Sequence, residues 1–163
     1  MSLTDISTPQ FINTQLIGDI DTPSVNVTLS LSQNHHGHDC YIPSKIDIQH
    51  PMIPLTSTRV KKLSIHRQLI PHILQALIEE PANAHLASHQ RIKAYSQRRP
   101  GRAVGAKAAQ QPSEKHLEEA AAIYALARLS RDASIYAIAK TFQISHTQAT
   151  RWANIIKQRY VTT

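Results

Sequence analysis

The chain has 163 residues, a formal net charge of +7 and a hydrophobic share of 41%, with one Trp, five Tyr and two Phe, so any core must be built from Ala, Ile, Leu and Val. That length suits one compact domain or two small ones. The single cysteine, Cys40, excludes an intramolecular disulfide framework, no apolar run approaches the roughly 20 residues of a membrane-spanning helix, and residues 1–20 carry Asp5 and Asp19 but no basic n-region of a secretory signal.

In chain order, residues 1–24 read as a loosely ordered lead-in. Residues 25–32 set Val25, Val27, Leu29 and Leu31 in alternation with Asn26, Thr28, Ser30 and Ser32, the period of a half-buried strand. Residues 41–48 form a second candidate strand, with Ile42, Ile46 and Ile48 on one side. Pro43 cannot donate to a ladder, which places this strand at an edge. The polar stretch 33–39 is the expected hairpin loop. Thr56 or Ser57 can cap a short helix through Leu63. A longer helix over 65–80 carries the stripe Leu69, Ile70, Ile73, Leu74, Leu77 and Ile78, with Pro71 either kinking it or opening a new first turn. These elements make a small ββαα module over 25–80. Residues 81–112 are rich in Pro, Gly, Ala and Gln and read as a basic linker, with a helical turn or two over 85–96.

From 113 onward the chain reads as all-α, which makes the fold class α+β. Ser113 is an N-cap signal, followed by acidic residues in the opening turns. The helix to about Ser130 buries Leu117, Ala120, Ala121, Tyr124, Ala127 and Leu129. Asp132 or Ser134 can cap a second helix over 135–142. Ser145 and Gln148 have the spacing of a capping box, which fixes the start of a third helix over 145–157. Ala149, Trp152 and Ile156 lie on its inner side; His146, Thr147, Thr150, Arg151, Asn154 and Lys157 lie on the other.

Charge is segregated along the chain. Residues 1–90 hold 5 Lys+Arg against 7 Asp+Glu, a balance of −2; residues 91–163 hold 13 against 4, a balance of +9. Such a field attracts a polyanion. A three-helix bundle with a merely solvated third helix also fits the periodicity. The capping box, the short turn and the local charge together favour a nucleic-acid reader.

The run from Ile138 to Trp152 resembles the bacterial and phage helix-turn-helix pattern: small Ala139 against the partner helix, Ile144 after the turn, small Ala149 and bulky Trp152 as anchors of the reading helix. The pattern usually has Gly where this chain has Gln143, a left-handed position at which a side chain costs roughly 1 kcal/mol. Arg98-Arg99-Pro100-Gly101-Arg102 ahead of the three helices is similar to the layout of serine recombinases and invertases, whose Gly-Arg arms lie in the minor groove. Residues 1–80 hold only Arg59 and Arg67 and lack the catalytic layout of those enzymes, so no recombinase activity and no enzyme is expected. The overall plan is also similar to that of proteins from actinobacteria and their phages, a resemblance that supplies no function.

The resemblance implies base contacts from His146, Thr147, Thr150 and Arg151, phosphate contacts from Ser145, Asn154, Lys157 and Arg159, and a minor-groove arm of Arg98, Arg99 and Arg102. The expected partner is double-stranded DNA, with the N-terminal module a candidate dimerisation unit, because one small reader buries little surface. The expected role is a transcriptional regulator in the cytoplasm, associated with the nucleoid. The alternative is a DNA-tethered adaptor, partition or architectural protein whose N-terminal module binds a protein. A third possibility is a metal-binding or enzymatic N-terminal module with a DNA anchor. His35, His36, His38 and Cys40 fall close together, but a structural zinc site wants four ligands from at least two elements; neither metal nor cofactor is expected, and no small-molecule ligand is evident.

Overall fold

The computed structural model describes residues 6–16, 23–49 and 65–160. Three strands come first, β1 (Phe11–Leu16), β2 (Ser24–Gln33) and β3 (Asp39–Gln49). They form one antiparallel sheet in the order β1-β2-β3. The helices are α1 (Ile65–Glu79), α2 (Ala84–Ala87), α3 (Gln90–Ser96), α4 (Ala106–Gln110), α5 (Glu114–Leu129), α6 (Ser134–Phe142) and α7 (His146–Tyr160), with a 3-10 turn at Pro81–Asn83. The mixed α+β class agrees with the sequence. The short helix expected over 56–63 lies outside the described residues. No described helix is long and apolar enough to cross a membrane.

The alternation of β2 is realised, with Val25, Val27 and Leu29 buried. The lead-in needs correction, because residues 11–16 pair with β2 along its other edge. Only Ile12 and Leu16 of β1 are buried, with polar Thr14 between them on the same face and Phe11 59% exposed. Two inward apolar residues leave no readable period; pairing with β2 supplies the rest. Pro43 does sit on an edge strand.

The expected common side of Ile42, Ile46 and Ile48 is overturned by a bulge. Leu29 faces Pro43 while Thr28 faces Lys45, so Ser44 is an extra residue, and its hydroxyl donates to the Thr28 carbonyl at 3.1 Å. One inserted residue flips the parity of everything beyond it. Tyr41, Pro43, Ile46 and Ile48 therefore oppose Leu31, Leu29, Val27 and Val25, and Ile42 falls on the other face. The hairpin turn is closed by Asn34, whose side-chain oxygen accepts from the His36 and His38 amides, and by Gly37 at φ 74°.

α1 runs unbroken through Pro71 and buries Leu69, Ile70, Ile73, Leu74 and Leu77. Fully buried Asn83 ties its end to the N-terminal segment. Its amide donates to the Ser7 and Leu77 carbonyls and its oxygen accepts from the Ser7 amide, all at 2.8 Å.

The stretch 81–112 is not an open linker. α2, α3 and α4 each turn one or two side chains inward, Leu86 from α2, Ile92 and Tyr95 from α3, and Ala109 from α4. Single anchors on short helices leave no period to read, which is why the composition suggested a loop. Gly101 packs flat on α6. A Cβ there would stand 2.0 Å from the Thr141 carbonyl oxygen, and beside it the Val104 amide donates to Phe142 O at 3.2 Å. Gly101→Ala is therefore expected to cost about 1–3 kcal/mol, as overpacking does where the overlaid segment can shift. Urea denaturation would measure it; an unchanged midpoint would mean that the segment is not held against α6.

One apolar cluster runs from Ile12, Val25 and Leu29 of the sheet through α1, α3 and α5 to Phe142, Trp152 and Ile156. The sheet packs against both α1 and α5, so the N-terminal elements and the last three helices share a core.

Candidate nucleic-acid interface

The three-helix unit α5–α7 is built largely from local signals. The Ser113 side chain accepts from the His116 amide at 3.3 Å and starts α5. α5 ends at Ser130, followed by Arg131 in the left-handed region at φ 58°. The expected cap of α6 by Asp132 or Ser134 is not formed. The N-cap is Ala133, which makes no side-chain bond; Asp132 Oδ1 accepts from the Ala133 amide at 2.9 Å but caps no amide of the first turn. Its carboxylate accepts from the Tyr95 hydroxyl at 3.0 Å and pairs with Arg98. Burial, and secondarily the Asp132 charge, holds the Tyr95 hydroxyl far above the ordinary tyrosine range.

Between α6 and α7 the chain turns at Gln143, φ 52° and ψ 48°. This is the left-handed position expected from the sequence, and the side chain there has a use. Gln143 Nε2 donates to the Gly101 carbonyl at 2.6 Å, a bond that glycine could not make and that helps to offset the backbone cost. The capping box is formed in both directions: the Gln148 amide donates to Ser145 Oγ at 3.2 Å, and the Ser145 amide donates to Gln148 Oε1 at 3.1 Å. Ala149, Trp152, Ala153 and Ile156 are buried, and Ala139 and Ile144 pack half-buried against the same core.

The candidate contact residues fall into two groups. His146, Thr147, Arg151, Asn154 and Lys157 are exposed on α7, and none of them has an ion-pair partner among the described residues. The others are already engaged. Thr150 is half-buried and its hydroxyl donates to the His146 carbonyl at 2.9 Å; Ser145 is used by the capping box. Arg159 pairs with Glu114 at 2.8 Å, and the Tyr160 hydroxyl donates to the same carboxylate at 2.7 Å. That hydroxyl bond, with the Arg159 charge, holds Glu114 below the ordinary carboxylate range.

The three arm arginines lie against the body of the fold. Arg98 is paired with Asp132, the Arg102 carbonyl accepts from Arg91 Nε at 3.2 Å, and the side chains of Arg99 and Arg102 are exposed. Arg98 and Arg99 share a shallow dent with Tyr136 and Lys140 of α6. Tyr136 is 57% exposed. These two α6 residues were missed by the sequence reading. A large aromatic just ahead of buried Ala137 and Ile138, on an otherwise amphipathic helix, is the signal that could have found them.

Beneath the exposed face of α7, Trp152 Nε1 donates to the Ala109 carbonyl of α4 at 2.9 Å, and His116 stacks on the Trp152 ring. Burial, followed by the charge of Arg91, holds His116 below the ordinary imidazole range. On the hairpin, His35 and His36 lie ring to ring at 3.8 Å, while Cys40 is on β3 and buried. Among the described residues, no group of three or more His, Cys, Asp or Glu is arranged to hold a metal ion. No protein-family model, curated protein or solved structure matches the chain.

Proposed function

We propose that the chain binds double-stranded DNA sequence-specifically, with α6 and α7 as a helix-turn-helix and α7 as the helix that enters the major groove, and that it serves as a transcriptional regulator of bacterial, phage or mobile-element origin. The observation that carries this reading is the reciprocal Ser145–Gln148 capping box, which fixes the first turn of α7 and leaves His146, Thr147 and Arg151 exposed on it. A helix docked in the major groove offers its first two turns to the base edges. The +9 balance of residues 91–163 supplies the nonspecific attraction to phosphate. Arg99 and Arg102, with exposed side chains, remain candidates for a minor-groove arm. Arg98 would first have to leave Asp132.

Arg151 is the residue suited to a bidentate pair with guanine O6 and N7, worth roughly 1–3 kcal/mol of discrimination. Lys157, two turns further on, is suited to phosphate. Random-site selection on the full chain, followed by gel shifts over a salt series, is the test. Duplex binding that weakens steeply with salt is expected. Arg151→Ala should relax the preference at one base position while leaving nonspecific binding nearly intact. Lys157→Ala should weaken all sequences alike and make the salt slope shallower by about one unit. No duplex binding at low salt would end the reading, and an unchanged motif and affinity for Arg151→Ala would remove α7 as the reading helix.

A further inference from the structure

A groove of about 390 Å³ lies between the β2–β3 hairpin and helices α5 and α7, a volume within the range of small-molecule sites. Its accessible apolar part is formed by Ala125 and the edge of Leu129 of α5 with half-buried Ile6 ahead of β1. Its polar part includes Arg128, His38 and Gln33. Arg128 is half-buried and stands 5.8 Å from the centroid of the Tyr124 ring, yet it has no ion-pair partner among the described residues. Asp39 lines the same groove without pairing to it. On the hairpin side, Arg128 is the largest influence on His38, which is held below the ordinary imidazole range. Desolvation and His36 add to that effect, and Asp39 opposes it.

A half-buried guanidinium with no direct ion-pair partner among the described residues can take an anion, and a carboxylate meets its planar fork with two parallel hydrogen bonds. The apolar wall beside it requires an occupant with a flat hydrophobic body. We propose that this groove is a binding site for a small aromatic carboxylate, the carboxylate on Arg128 and the ring on the surface of Ile6, Ala125 and Leu129. Arg128 and Ala125 come from α5, His38 from the hairpin and Tyr160 from α7, so a bound acid lies against all three elements at once. The proposal does not depend on DNA binding.

The test is titration of the full chain, without DNA, with benzoate, salicylate, phenylacetate and indole-3-acetate, followed through amide NMR shifts of residues 33–39 and 121–129. Saturable shifts in both segments are expected for at least one of these acids, with the matched neutral alcohol at least about tenfold weaker. Arg128→Gln removes the charge and should weaken binding at least about tenfold. Ala125→Leu fills the apolar wall, leaves the charge in place and should also abolish binding; circular dichroism checks that both variants remain folded. The proposal is overturned if none of the four acids shifts both segments at millimolar concentration, if the alcohol binds as well as the acid, or if either folded variant binds like the unmodified chain.

Discussion

Replacing Trp152 with alanine is expected to remove roughly 3–5 kcal/mol of stability, the cost of truncating a large buried aromatic. Trp152 is buried on α7, packs edge-on against Phe142 of α6 with ring centroids 5.0 Å apart, and stacks on His116 of α5. It therefore touches all three helices of the unit, and its indole N–H also holds α4 through Ala109. Alanine would leave a cavity among these elements and an unpaired carbonyl on α4. Because the sheet and the helices share one core, the loss should appear as a single cooperative shift in urea denaturation rather than as melting of the last third alone. Trp152→Phe separates the two contributions. It keeps a ring against Phe142 but drops the hydrogen bond, so a smaller loss of about 1–2 kcal/mol is expected, with faster proteolysis of residues 97–112. Equal cleavage rates would show that α4 is held by something other than the indole.

The parts legible in the sequence are those specified by neighbours. The alternation of β2, the stripe of α1, the Ser113 cap and the Ser145–Gln148 box all act within a few residues, and each was read from a short window. The same holds for the left-handed turn at Gln143, although the sequence showed only its cost; the return bond to Gly101 spans 42 positions. What the sequence hid is non-local. β1 is a strand because β2 has a free edge, not because Ile12 and Leu16 make a pattern. The bulge at Ser44 has no local signature among Ile42, Pro43 and Ile46, and it puts Ile42 on the opposite face from Ile46 and Ile48. The stretch 81–112 looked like a linker because its helices are short and anchored by one or two residues each. The exposed face of α7 was legible from helical spacing. That Arg159 is engaged within the fold was not, since its partner is Glu114, 45 positions away, whereas the Thr150 hydroxyl bonds one turn back to the His146 carbonyl.

The same non-local logic puts a large electrostatic effect at Arg91, a residue that no local pattern marks out. Glu119 lies on the buried side of α5 with its side chain 5% exposed, and Arg91 of α3, 15% exposed, donates to it at 2.8 Å. Arg91 also donates to the Arg102 carbonyl and stands 5.0 Å from the centroid of the Phe142 ring, so one guanidinium joins α3, the segment after it, α5 and α6. His89 stands 3.8 Å from the carboxylate, too far to replace a direct hydrogen bond. Arg91→Met keeps most of the apolar stem but strands the Glu119 carboxylate, and breaking a buried pair from one side typically costs about 3–5 kcal/mol. The groove lined by Arg91, Gly101 and Glu119 admits water to one side of the pair, which puts the expectation at the lower end, about 3 kcal/mol. Adding Glu119→Leu to Arg91→Met should restore most of that loss, because an apolar pair of similar volume no longer carries a desolvated charge. The double-mutant cycle, read from urea midpoints, isolates the coupling. A cost below about 1 kcal/mol for Arg91→Met alone would show that water, not Arg91, solvates Glu119. A double variant no more stable than Arg91→Met would show that the guanidinium matters through Arg102 and Phe142 instead.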